Sequence, residues 1–190
     1  VKREGDIRVP SGCAISGILS RKGERFSGET VLKSIASMRE RSNGLGGGFA
    51  AYGIYPEHKD FFALHIFYDD RETKAVVEEF INRFFEVESS GKMPTRKTPG
   101  IGHSPRIWRY FVMPKQFRMD EAELDEQEFV AKCVFHINSE YKGAFVFSSG
   151  KNMGAFKGVG YPEDIGNFFM LERYDAYLWT SHGRFPTNTP

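Results

Sequence analysis

Apolar positions recur along this chain with two different periods, and their alternation sets the expected elements. Residues 13–20 (CAISGILS) read as a strand of small residues. Over 28–41, Val31, Ile35 and Met38 fall at helical spacing, with Leu32 and Ala36 beside them, and Ser27 stands where an N-cap belongs. The run Asn43-Gly-Leu-Gly-Gly-Gly48 ends that pattern. Two β-rich runs follow, 48–55 and 61–68, and the turn residues from Pro56 to Asp60 between them predict a hairpin. Asp69 and Asp70 precede a helix expected over 71–87, whose apolar stripe is Val76, Val77, Phe80, Ile81, Phe84 and Phe85.

Residues 89–106 are rich in Gly, Pro, Ser, Lys and Arg and read as a surface loop, and 107–113 (IWRYFVM) as a strand. Asp125 and Glu128 have capping-box spacing at the head of a helix that extends to about Tyr141, with Gly143 as its stop. Residues 143–150 and 153–160 read as strand, tight turn at Lys151-Asn152, and strand. Pro162 suits the first turn of a short helix, and 174–185 reads as a strand that delivers polar residues at its end. Helical and extended runs are interleaved, which points to α/β layers around one core.

Composition narrows the class. The 190 residues fit one domain, and 18 Phe with 8 Tyr supply ample core material. A net charge of +1 gives no reason to expect nucleic acid or a membrane surface as partner. No apolar run approaches the roughly 20 residues that a membrane span needs. The charged stretch from Val1 to Gly12 lacks the apolar region of a secretory signal. Two cysteines form no disulfide framework or zinc pattern, so a reducing cytoplasm is the expected setting.

Candidate chemistry is sparse. Cys13, between Gly12 and Ala14 at the head of a strand, has two readings. It is a small buried hydrophobe, as most free cysteines are, or a nucleophile exposed by cleavage after Gly12. In the second case its own α-amino group, titrating near pH 8, could take the thiol proton. Cys133, among Phe129, Val130 and Phe135, reads as core packing. The glycine run follows a helix instead of opening one, so it is a tight turn with close backbone approach and not a phosphate cradle. Arg184 could grip a carboxylate in bidentate fashion, with a hydroxyl from Thr187, or be a surface arginine near a turn. His182 is a base or a structural histidine, and His58, His65, His103 and His136 share no metal-ligand spacing. The basic stretch from Lys92 to Arg106 has few aromatics and reads as a solvated loop.

Several of these segments together resemble a known family. Cys13-Ala-Ile-Ser-Gly17 is similar to the Cys-Gly-Ile-x-Gly start of class II glutamine amidotransferases, with Ala14 in place of glycine. Met38-Arg-Glu-Arg-Ser-Asn-Gly44 and Gly46-Gly-Gly-Phe-Ala-Ala-Tyr-Gly53 resemble the helix and glycine turn that follow it. His182-Gly-Arg-Phe-Pro-Thr-Asn-Thr189 resembles the His-x-Arg-(Trp/Phe)-x-Thr motif, with the Asn-Thr tail of glutamate synthases. Gly150-Lys-Asn-Met and Gly158-Val-Gly-Tyr-Pro-Glu-Asp164 are similar to the stand-alone amidotransferase subunits of archaeal-type glutamate synthase.

The resemblance implies an α+β fold, the Ntn-hydrolase αββα four-layer sandwich: two antiparallel sheets face to face with helices outside. It makes 1–12 a leader or propeptide and 13–190 the N-terminal part of a domain truncated at its C-terminus. It implies hydrolysis of L-glutamine to glutamate and ammonia, with Cys13 as catalytic nucleophile, Arg184 and Thr187 on the substrate carboxylate, and Arg41 helping to order the site. The family's oxyanion-hole Asn-Gly pair and its anchor for the substrate amino group lie beyond Pro190, so this stretch alone is expected to be a poor catalyst. No cofactor or metal is expected in this chain. Flavin and iron–sulfur clusters belong to a glutamate-synthase-like partner subunit, to which the ammonia passes, and association with further copies of the chain is left open. Two alternatives stand beside this reading: a non-catalytic regulatory or docking subunit that senses glutamine, and an Ntn hydrolase acting on another amide.

Overall fold

A computed structural model describes residues 13–42, 44–102 and 104–184. In chain order the elements are β1 (Ile15–Leu19), β2 (Phe26–Ser27), α1 (Glu29–Ala36), β3 (Gly47–Tyr52), β4 (Phe62–Tyr68), α2 (Arg71–Phe84) and β5 (Phe85–Lys92). There follow β6 (Arg106–Pro114), α3 (Gln116–Ala122), α4 (Glu126–Glu140), β7 (Ala144–Ser148), β8 (Met153–Gly158), α5 (Pro162–Phe168), β9 (Asp175–Ala176) and β10 (Leu178–His182).

Local chemistry fixes the helix ends. Asp70 caps α2 by accepting the Thr73 N–H at 2.6 Å, and hydrogen bonds from Thr73 hold its carboxyl below the usual aspartate range. Asp125 and Glu128 form the expected capping box on α4: Asp125 Oδ1 accepts the Glu128 N–H at 2.9 Å, and Glu128 Oε2 accepts the Asp125 N–H at 3.3 Å. Pro162 occupies the first turn of α5. α1 is shorter than its apolar spacing suggests. After Ala36 the Ser37 hydroxyl bonds the Ser34 carbonyl at 2.8 Å, and the chain continues into a 3₁₀ turn over Arg39–Arg41. Ser27 is not its N-cap residue, which is Gly28; the Ser27 hydroxyl nevertheless accepts the Glu29 N–H at 3.2 Å.

The strands form two four-stranded antiparallel sheets and a two-stranded ribbon of β2 with β9. The first sheet has the order β1-β10-β3-β8 and the second β5-β6-β4-β7. Strands β3 and β8 are neighbours in the first sheet, and the whole second sheet with α2, α3 and α4 is the chain between them. Its sequence β4-α2-β5-β6-α4-β7 and its spatial order are those of a split βαβ unit. The molecule is thus α+β.

Two apolar clusters hold it together. One fills the space between the second sheet and its helices, with Leu64, Ile66 and Val112 against Val77, Ile81, Phe129 and Ile137. The other joins α1 and α5 to the first sheet through Val31, Ile35, Ile165, Phe49 and Trp179. It continues between the sheets, where the His65 ring lies 5.5 Å from Phe147 and 5.6 Å from Phe156, and Phe156 lies 5.3 Å from Phe169 of the α5 end. The opposite face of the first sheet is different. Leu19, Leu178, Tyr52 and Met153 form one cross-strand row, of which Leu19 and Tyr52 are exposed, as is Ile15.

Two expectations about strands are corrected, and one turn has a role beyond the expected one. The runs at 48–55 and 61–68 do not form a hairpin: β3 and β4 lie in different sheets. Six of seven β4 residues are buried, so the strand needs cover on both faces, with helices on one side and the first sheet on the other. The segment after 89 is not all loop, since β5 extends to Lys92 as the edge of the second sheet. Past Val87 its residues are exposed and polar, so no hydrophobic alternation marked it. The turn at Lys151-Asn152 carries the chain from one sheet to the other. Asn152 has φ +47° there, and its side-chain oxygen accepts the Tyr55 N–H at 2.8 Å.

Candidate functional site

The pairing of β1 with β10 builds one end of the first sheet. Ile15 is opposite His182, and the Gly183 N–H donates to the Ala14 carbonyl at 2.8 Å. Cys13 precedes Ala14 and Arg184 follows Gly183, so both flank this hydrogen bond at the end of the β1–β10 pair. Cys13 is exposed. Arg184 is 9 % exposed, and its buried Nε has no hydrogen-bond partner among the described residues. A guanidinium N–H in that condition is costly unless something accepts from it. Thr187 lies outside the described residues.

The backbone around Gly183 is closely packed. A Cβ at Gly183 would stand 2.5 Å from Ser42 Oγ and 3.0 Å from the Ala14 Cβ, so a side chain there has no room. A Cβ at Gly47 would stand 2.7 Å from the His182 carbonyl oxygen. The glycine run is therefore what the sequence suggests, a turn where one backbone presses on another; Asn43 within it lies outside the described residues. Among the described residues Ser42 Oγ and Ser181 Oγ are buried without a partner, like Arg184 Nε. Three polar atoms close to Gly183 along the chain or in space are thus left with unused hydrogen-bonding capacity.

Arg41 is exposed on the 3₁₀ turn, and among the described residues it has no ion-pair partner. The residue before the turn's centre acts instead: Arg39 pairs with Glu163 of α5 at 2.7 Å and covers the Tyr161 ring at 4.1 Å. That pair fastens the turn to α5, and Ser42 follows directly. Sequence reasoning missed Ser42, Ser181 and the Arg39–Glu163 pair. Serine carries no signal by type, and the charge run Arg39-Glu-Arg41 offers two arginines with nothing to choose between them.

A second polar centre lies between the sheets. His65 is fully buried; its Nδ1 is 2.9 Å from the Ala155 carbonyl and its Nε2 is 2.9 Å from the Tyr55 hydroxyl. A carbonyl only accepts, so Nδ1 carries the proton and Nε2 accepts from Tyr55. Burial pushes the imidazole down to about 3, with the nearby Arg109 acting in the same direction against the Ala155 bond. Burial also raises the Tyr55 phenol, under which Arg109 stacks at 4.9 Å from the ring centre. A histidine neutral at every working pH, with both nitrogens engaged, ties sheets together and does not shuttle protons. Its place in the otherwise apolar run FFALHIF was the available signal.

Cys133 is buried, as its sequence neighbours suggest, and burial pushes its thiol up to about 11. Among the described residues no group of three or more His, Cys, Asp or Glu could hold a metal ion, and no helix is long and apolar enough to cross a membrane.

No protein-family model matches the chain. A protein of Archaeoglobus fulgidus, described only as uncharacterized, is 49 % identical over 181 residues, which are 94 % of this chain and 48 % of that protein. The chain therefore spans about half the length of the relative it matches.

Proposed function

We propose that this chain is the nucleophile-bearing part of a class II glutamine amidotransferase, with Cys13 as nucleophile and Arg184 as the anchor of the glutamine α-carboxylate. The observation that supports this reading is the Gly183–Ala14 hydrogen bond at the end of the β1–β10 pair, flanked by an exposed Cys13 and by a buried Arg184 whose Nε has no partner among the described residues. A bidentate arginine is the group that best recognises a carboxylate. The fold is then the helix-flanked half of an Ntn-hydrolase sandwich carrying a split βαβ insertion.

In this mechanism cleavage after Gly12 frees the Cys13 α-amine, which takes the thiol proton. The thiolate sulfur bonds the glutamine side-chain carbonyl carbon, the C–N bond breaks, and ammonia leaves with that proton. Water then hydrolyses the thioester to glutamate and restores the thiol. Thr187 would add a hydroxyl to the carboxylate grip and Arg41 would act from the turn. The ammonia would pass to a synthase subunit that carries flavin and iron–sulfur clusters.

One observation favours a second reading, a glutamine-sensing subunit that does not turn glutamine over: in this sequence Cys13 is joined to Gly12, and an amide nitrogen is no base. The two separate in one experiment on the product of the full natural gene, treated with 6-diazo-5-oxo-L-norleucine. The enzyme reading expects a mass beginning at Cys13 and a covalent adduct there. It also expects no glutaminase activity in Cys13→Ala, and glutamine binding about tenfold or more weaker in Arg184→Lys. An uncleaved chain that binds glutamine but forms no adduct supports the sensor, and a chain that does neither removes both.

A further inference from the structure

The helical side of the split βαβ unit contains a cleft of about 550 Å³ framed by α2, α3 and α4, within the size range of small-molecule sites. None of its residues belongs to the β1–β10 site. Its floor is aromatic: Phe80 lies 4.6 Å from Phe84 by ring centres, and Phe84 lies 6.3 Å from Phe129. His136 stacks on Phe80 at 4.9 Å, and Tyr141 meets the same ring edge-on at 5.8 Å. Such a floor suits a flat or extended apolar body.

The rim has one sign. Arg83, Arg118 and Lys132 line it against a single carboxylate, Glu121, which Arg118 already holds at 2.8 Å. Arg83 and Lys132 are exposed and have no ion-pair partner among the described residues. The Arg118 guanidinium sits over Phe84, 5.5 Å from its ring centre, and its buried Nε has no partner among the described residues. A cleft with an aromatic floor, two cations outside any described ion pair (Arg83 resting 5.5 Å from the Phe84 ring centre) and an idle guanidinium donor is complementary to an anion with an apolar tail.

We propose that this cleft is a binding site for a small amphipathic anion, an apolar body carrying a carboxylate, phosphate or sulfonate head. The body covers Phe80, Phe84 and Phe129, and the head meets Arg83, Lys132 and the Arg118 Nε. The Cys133 thiol lines the cleft and is covered by the occupant.

The test uses 8-anilinonaphthalene-1-sulfonate, and N-phenyl-1-naphthylamine as the same body without the charge. The sulfonate should bind one per chain and be displaced by octanoate. In Arg83→Glu/Lys132→Glu, both exposed positions, its affinity should fall about tenfold or more while the neutral probe is unaffected. Equal affinity of the two probes for the unaltered protein, or an unchanged sulfonate affinity in the charge-reversed variant, overturns the proposal. A second readout leaves the rim intact. In Cys13→Ser protein, Cys133 is the one thiol, and octanoate should slow its reaction with a disulfide reagent; an unaltered rate with the anion at saturating concentration also overturns the site.

Discussion

At the scale of single residues, two kinds of position matter here, those with no spare room and those with unspent polarity. Gly183 is the first kind, and the backbone contact it allows aligns Ala14, and with it Cys13. His65 belongs to neither kind, being buried with both nitrogens engaged, and it gives the molecule a pH dependence. Its imidazole has a folded value of about 3 against an ordinary 6.5. Below pH 6.5 the unfolded chain takes up a proton that the folded chain refuses, so stability from this group is complete above 6.5 and falls as pH drops towards 3. The expected slope is at most about 1.4 kcal/mol per pH unit. Urea unfolding between pH 7 and 4.5 should show it, and His65→Gln should flatten the difference; an equal slope in both proteins would mean that other groups govern acid stability. Cys13 and Arg184 stand out as candidates in the sequence because short motifs surround them. Ser42, Ser181 and His65 were not, because their roles come from partners brought by pairing across the sheets.

At the scale of elements, helices were easier to read than strand partners. The α4 start was written in the chain as Asp125 and Glu128, two side chains that satisfy each other's backbone neighbours. Asp125→Ala should cost about 1 kcal/mol of stability and leave the fold intact, measured by the urea midpoint; no change in that midpoint would show that the cap is idle. Strand pairing was misread where proximity in sequence suggested it. β3 with β4 looks like a hairpin because turn residues separate two β-rich runs, yet the near-complete burial of β4 places it mid-sheet with strands on both sides. β5 went unseen for the opposite reason, because an exposed edge strand has no apolar rhythm to detect.

At the scale of the whole molecule, the two sheets share one core, and Phe156 is its hinge of contact, fully buried between His65 and Phe169. Phe156→Ala should cost about 3–5 kcal/mol. Each sheet has its own reporter, since the chain has two tryptophans: Trp108 in β6 and Trp179 in β10. Fluorescence of Trp108→Phe and Trp179→Phe proteins in urea should give coincident transitions, as one cooperative unit requires. Transitions at separate urea concentrations would mean that the insertion folds apart from its host sheet. Interleaved helices and strands made the layering of helices on sheets legible from the chain, and the α+β class came from the resemblance; the insertion was not legible, because no composition shift marks its borders near Tyr52 and Met153.

The order of strands in the first sheet also sets a timetable. Among the described residues β1 pairs with β10, more than 150 positions further on, whereas every partner of β4, β5, β6 and β7 lies inside the stretch between β3 and β8. On a ribosome, the insertion can close on itself while the strand behind Cys13 still waits. The long wait is a loop-closure cost that falls on the host sheet, so the thiol's surroundings are assembled only after the insertion has been made.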